Sequence, residues 1–224
     1  TRLRDARGAL RNAVVLAAAH GETQRVGDKR HPVPVYEAAP HGALGQQLAR
    51  RGWWPGRVVP GAPPEPFALP GASSAAPRLG VVICSDLHDA ALVRRLRREG
   101  AGLLLTLANE SDFGAGAEAA NLRLARLRAA ENRVPLVRVA NTGRSSWLDA
   151  RGRSLAELAS TRAAGGGAVL PGAGAPSFYA LHGAGPARSA VVVLAALAVG
   201  ASPLRASLSR ASRRAPPRGS PLLS

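Results

Sequence analysis

Cysteine and lysine are almost absent from this sequence, and methionine is wholly so: the chain holds Cys84, Lys29 and no methionine. A single cysteine excludes an intrachain disulfide and any cysteine-rich zinc site, which leaves a buried small side chain or a nucleophile. The histidines, at 20, 31, 41, 88 and 182, fall into neither an HxxxH nor an HExxH spacing. No metal site is therefore expected, and nothing requires a cofactor. Aromatic residues make up 4% of the chain and do not alternate with basic ones. A net charge of +16 thus points to no nucleic-acid partner, because a single-strand platform needs stacking rings as well as cations. Positive charge is supplied almost entirely by arginine, so a lone lysine suggests a site that wants a compact ammonium donor, the alternative being a surface cation.

At 224 residues the length allows one sizeable domain and a tail. The chain opens on Thr1 and lacks methionine, which predicts a piece of a longer protein. Ala13 to Ala19 reads as a strand, with a return strand near Gln24 to Val26 leading into Lys29. From His41 to Arg78 proline and glycine dominate around Trp53, Trp54 and Phe67, and no periodicity persists. Leu79 to Cys84 and Ala101 to Ala108 are short apolar runs of buried parallel strands. Leu87 to Glu99 and Gly116 to Asn132 have helical spacing. Pro135 to Ala140 is a third strand, and Ser145 to Leu148 with Ser154 to Leu158 forms a hairpin. Alternating strands and helices predict an α/β sheet.

Residues 166–186 read as a linker. Ser189 to Leu204 carries no charge and lies between Arg188 and Arg205, so 187–204 is expected to be a membrane helix despite being short of the usual length of about 20 residues. The arginines of 205–224, with no acid among them, predict a cytoplasmic tail.

Cys84 falls at an expected strand-to-helix junction, where a helix N-terminus favours the thiolate and offers free amides. The Ser85 amide could then help hold an oxyanion, and a nearby lysine could stabilise the same charge. A base for the thiol proton is still required.

With their neighbours, these residues resemble the carbon-nitrogen hydrolase (nitrilase) superfamily, and within it the apolipoprotein N-acyltransferase branch. Asp28-Lys29-Arg30-His31-Pro32-Val33-Pro34-Val35-Tyr36-Glu37 is similar to that branch's lysine segment, and Gly80-Val81-Val82-Ile83-Cys84 to its nucleophile strand. Leu105 to Gly114 resembles the segment "TNDAWFG". The blocks Ala125 to Glu131 and Pro135 to Ser145 are the most specific. Gly27 replaces an aromatic, Pro32 a leucine and Asp112 an aromatic, and Cys-aromatic-Glu has become Cys84-Ser85-Asp86. In the family these positions shape the acyl pocket and its mouth.

The resemblance implies an α-β-β-α sandwich over residues 1–165, truncated at its N-terminus, followed by the C-terminal hydrophobic helix. It implies Cys84 as nucleophile and Lys29 as oxyanion partner, with Ser85 and Glu37 in support. The base glutamate lies several dozen residues before the lysine, outside this chain. The expected reaction moves a fatty acyl group from a phospholipid onto Cys84, then to the amine of a lipoprotein's N-terminal cysteine. The implied location is the bacterial inner membrane, with the catalytic domain on the periplasmic side. Two alternatives stay open: a soluble amidase, in which water replaces the amine, and a non-catalytic membrane-anchored relic.

Overall fold

The computed structural model describes residues 1–18, 20–34, 36–38, 42–52, 58–111, 113–159, 166–167, 169 and 171–200. Trp53, Trp54, Asp112 and the tail at 205–224 lie outside them.

Two sheets organise the first unit, Thr1–Gly183. The smaller is an antiparallel meander of β1 (Arg2–Arg4), β2 (Leu10–Ala17) and β3 (Thr23–Asp28), with a register shift between Val14 and Val15. Helix α1 (Ala43–Arg50) follows, inside the stretch in which the sequence shows no periodicity.

The larger sheet has the order β4-β5-β6-β7-β8. β4 (Arg78–Ile83), β5 (Ala101–Ala108) and β6 (Leu136–Ala140) run parallel, whereas β7 (Ser145–Leu148) and β8 (Ser154–Leu158) add an antiparallel hairpin. Five of the six β4 residues are buried, as expected for a parallel strand covered on both faces. Helices α2 (Ala90–Arg98) and α3 (Ala115–Asn132) pack on one side of this sheet, while β2 and β3 touch β4. The core between helices and sheet comprises Val93 and Leu96 of α2, Ala125 and Ala129 of α3, and Val82, Leu104 and Leu136 of the strands.

The expected helix over Leu87 to Glu99 is divided. A 3-10 turn spans Cys84–His88, and α2 starts only at Ala90, where the Asp89 carboxylate accepts from the amides of Ala91 and Leu92. Asp89 is an N-cap of the preferred type, so it fixes the start of the helix there. Within 166–186, helix α4 (Phe178–His182) packs on α2 and α3 with Ala180 fully buried.

The second unit begins at Ala184, and its described part is helix α5 (Gly185–Gly200). Sixteen residues rise about 24 Å, less than the hydrocarbon thickness of about 30 Å. Among the described residues no helix is long and apolar enough to cross a membrane. The transmembrane helix expected over 187–204 is therefore not seen as such, and residues 201–204 fall outside the described part.

Candidate active site

Lys29 follows directly on β3. Its amide donates to the Asn12 carbonyl at 2.7 Å, and its own carbonyl accepts from the Gly61 amide at 2.9 Å. Gly61 is glycine for a steric reason, since a Cβ there would lie 2.1 Å from the Asp28 Cβ. The lysine side chain is 1% exposed, and its Nζ donates to Glu37 Oε2 at 2.5 Å. That oxygen also accepts from the Val33 amide at 2.7 Å, and Asn12 Nδ2 donates to Oε1 at 3.1 Å. Burial pushes the Glu37 carboxyl up, but the Lys29 ammonium, the Val33 amide and Asn12 outweigh it and hold the group below the ordinary glutamate range. Glu37 is thus a buried counter-ion for Lys29. Asn12 holds both partners, one through its backbone and one through its side chain, and sequence reasoning missed it.

Cys84 follows directly on β4 and adopts the left-handed region, at φ 50°. This conformation costs a non-glycine residue about 1–2 kcal/mol, and strain of this kind concentrates at functional sites. The two residues after it fasten the turn to the lysine loop. Ser85 Oγ donates to the His31 carbonyl at 2.5 Å, and the fully buried Asp86 carboxylate accepts from the amides of Arg30 and His31 at 3.0 and 2.6 Å. Burial raises the Asp86 carboxyl above its ordinary range, against the opposing pull of those two amides.

One expectation is corrected here. The α-helix N-terminus is used by Asp89 rather than offered to Cys84, so the amides near the thiol are those of a 3-10 turn. The polar Ser85 and Asp86 hold the loops together, and Ser85 also lines a cavity.

Lys29, Glu37 and Cys84 all line one cavity of about 600 Å³, within the usual range of ligand pockets. Asn12, Asn109 and Asn141 add polar groups to its wall, and Val15, Tyr36 and Phe113 add apolar ones. The rings of Tyr36 and Phe113 stand 5.8 Å apart. A second cavity, about 550 Å³, also reaches Cys84 and is lined by Ser85, His88, Glu110 and Asn121 together with Pro32 and Pro34.

Arg138 and Glu110, 1% and 3% exposed, form a second buried ion pair, and Glu110 lines the second cavity. Arg138 also donates to the Arg144 carbonyl at 2.8 Å, and Asn141 Oδ1 accepts from the Glu110 amide at 3.2 Å. Gly143 has no room for a side chain, because a Cβ would sit 1.9 Å from Glu110 Oε2. Arg138 therefore braces the strand ends. Asn141 does so too, but it also lines the first cavity.

A buried lysine–glutamate pair and a strained cysteine thus meet on one cavity at the end of a parallel strand. The family model for carbon-nitrogen hydrolases matches residues 2–165, and the chain belongs to that family. Among its relatives, the apolipoprotein N-acyltransferase of Bradyrhizobium diazoefficiens is 35% identical over 196 residues, which are 84% of this chain and 35% of that protein. The apolipoprotein N-acyltransferase of Geobacter metallireducens is 33% identical over 142 residues, 63% of this chain and 26% of its own length. The chain thus spans between 26% and 35% of these two relatives. A carbon-nitrogen hydrolase from Helicobacter pylori superposes with a TM-score of 0.53 at 18% identity, covering 72% of this chain and 57% of that one. That likeness establishes the α/β fold of the nitrilase superfamily.

Proposed function

We propose that this chain is the acyl-transfer core of an apolipoprotein N-acyltransferase. The observation that carries the reading is the meeting of Cys84, Lys29 and Glu37 on one cavity, in a chain whose relatives bear that name. The Cys84 thiol gives up its proton and the thiolate attacks the ester carbonyl of a phospholipid; the C–O bond breaks, the lysophospholipid leaves as an alcohol with that proton, and the acyl group remains on sulfur as a thioester. Lys29, anchored by Glu37, places its ammonium against the developing oxyanion, and the Ser85 amide assists. A positioned cation in a water-poor site stabilises such a charge far more than water does. The amine of a lipoprotein's N-terminal cysteine then takes the acyl group, and the thiol is regenerated. Two half-reactions on one thiol predict ping-pong kinetics.

The same reading places the protein in the bacterial inner membrane, with this domain on the periplasmic side. The uncharged stretch at 189–204 serves as anchor and 205–224 as a cytoplasmic tail, supported by the apolar sequence and the arginine excess that follows it.

An acyl-phospholipid probe tests the nucleophile in the full-length protein. The parent protein gains a hydroxylamine-sensitive label and Cys84→Ala gains none; label on the variant overturns the assignment. Release of the acyl group to water, with no transfer to an added lipopeptide, replaces the transferase reading with the amidase one.

A further inference from the structure

Between Arg162 and Arg205 the only Asp, Glu, Lys or Arg is Arg188, in a chain that is 20% charged. The uncharged stretch thus begins well ahead of α5, and part of it belongs to the folded first unit. Ala173 packs against the core, Arg97 donates to the Gly174 carbonyl, and Ser177 Oγ donates to the Glu131 carbonyl. Ser177 also caps α4 by accepting from the Ala180 amide at 2.9 Å, and Ala180 is wholly buried. One face of α4 is therefore fixed to α2 and α3.

Another face carries large apolar groups into the open. Phe178 and Leu181, three residues apart and so neighbours on the helix surface, are 66% and 51% exposed, and the His182 ring lies 4.5 Å from that of Phe178. Cations stand just past them. The Arg94 guanidinium lies so close to Gly183 that a Cβ there would meet its carbon at 2.9 Å, and Arg188 falls in the first turn of α5. The helix that follows exposes Val191, Val192, Val193 and Leu194, four successive residues, and so is apolar on all sides. Phenylalanine and leucine on one face, with basic residues beside them, are what a helix lying in a bilayer surface presents.

Chain length ties the two helices to one place. Only Gly183 and Ala184 separate them, and the three peptide steps from His182 to Gly185 reach about 10 Å at most. A bilayer that takes up α5 with Arg188 at headgroup level therefore comes within reach of α4. Two side chains bind a bilayer weakly by themselves, but a tether this short makes the contact intramolecular and gives it a high effective concentration.

We propose that α4 is an interfacial helix: Phe178 and Leu181 enter the boundary between headgroups and acyl chains of a phospholipid bilayer, and Arg94 and Arg188 meet lipid phosphates. The assignment rests on the reading of 189–204 as a membrane anchor. It gives the catalytic domain a second, shallow hold on the lipid, which limits how far the domain swings on its anchor.

The test reads depth in the full-length protein, made otherwise free of cysteine by Cys84→Ala and reconstituted in bilayers of phosphatidylcholine and phosphatidylglycerol. An environment-sensitive fluorophore is placed on one cysteine at a time, by Phe178→Cys, Leu181→Cys or, within α5, Leu194→Cys. Nitroxide lipids labelled near the headgroup quench the probes at 178 and 181 more than lipids labelled deep in the chain, and the probe at 194 shows the reverse order. Adding Leu181→Asp to the probe at 178 shifts its emission to the red, toward that of the probe in water. Probes at 178 and 181 that iodide quenches and neither nitroxide reaches, beside a lipid-quenched probe at 194, overturn the proposal and leave the anchor standing. Emission at 178 that Leu181→Asp does not move also overturns it. A probe at 194 that no nitroxide lipid quenches sinks the membrane reading beneath it.

Discussion

Two buried ion pairs contribute to the walls of the cavities that reach Cys84, and they are built for different work. Lys29 donates to Glu37 alone among the described residues, while its partner is held by three donors from two segments, β2 and the loop after β3. Arg138 spends its guanidinium on Glu110 and on the Arg144 carbonyl, and Glu110 Oε2 remains unpartnered in the interior. An ammonium with one partner on a cavity wall keeps donors for a ligand, whereas a guanidinium that lines neither cavity presents none to it. The first pair is a poised cation with an over-determined anchor. The second is a clamp.

Removing one member of a buried pair leaves an uncompensated charge and costs about 3–5 kcal/mol. Arg138→Met falls at the upper end of that range, because Glu110 keeps only Asn121 and the Asn121 contact cannot neutralise it. Lys29→Met falls at the lower end, since Asn12 and Val33 still hold Glu37. Urea denaturation of the two variants ranks them, and a larger loss for Lys29→Met breaks the distinction. Chemistry sharpens it in the opposite direction. Adding Glu37→Gln to Lys29→Met returns most of the stability, because no charge is left buried, but acyl capture by Cys84 stays absent.

The next effect in size belongs to the bond between the nucleophile turn and the lysine loop. Asp86→Ala removes the acceptor shared by the amides of Arg30 and His31, bonds worth about 1 kcal/mol or more each. Asp86→Asn retains an acceptor, and burial already favours the uncharged form of this group, so its stability stays close to the parent's. Equal losses in the two variants contradict the staple. Asn12→Ala removes one bond to a charged acceptor, about 1.5–3 kcal/mol, and lowers acyl capture with it by freeing Glu37.

What the sequence makes legible follows from how local each signal is. β5, β7 and β8 are readable to the residue from apolar runs bounded by turn residues. Lys29, Glu37 and Cys84 stand out through scarcity and motif. The break between Cys84–His88 and α2 is hidden, because Leu87, Leu92, Val93 and Leu96 keep helical spacing across it and only the Asp89 cap marks the true start. Pairings between distant segments leave no trace in periodicity: Glu110 with Arg138 and Asn121, or Asp86 with the loop after Lys29. Asp86 shows in the sequence as a departure from a motif, but its role becomes visible only once residues 55 and 56 apart along the chain are brought together.

The smallest effect is a change of slope, and here Glu37 and Asp86 part company. Glu37 titrates below its ordinary value in the folded state, so between the folded and unfolded values the unfolded chain binds more protons. Its contribution is then complete above the ordinary glutamate value of about 4.3 and is lost as pH falls through the folded one. Asp86 is raised, so the folded chain binds more protons over its interval, and stability falls as pH climbs from the ordinary aspartate value toward the folded one. Asp5, Asp89, Asp149 and Glu157 are lowered like Glu37, which tilts the parent curve toward greater stability at higher pH. The readout is therefore the difference between each variant and the parent in urea midpoints taken across acidic pH. Glu37→Gln makes the rise with pH shallower and Asp86→Asn makes it steeper. Slope changes of the same sign in both would mean that burial does not dominate at Asp86, and that its two amides hold the carboxylate ionised as Lys29 holds Glu37.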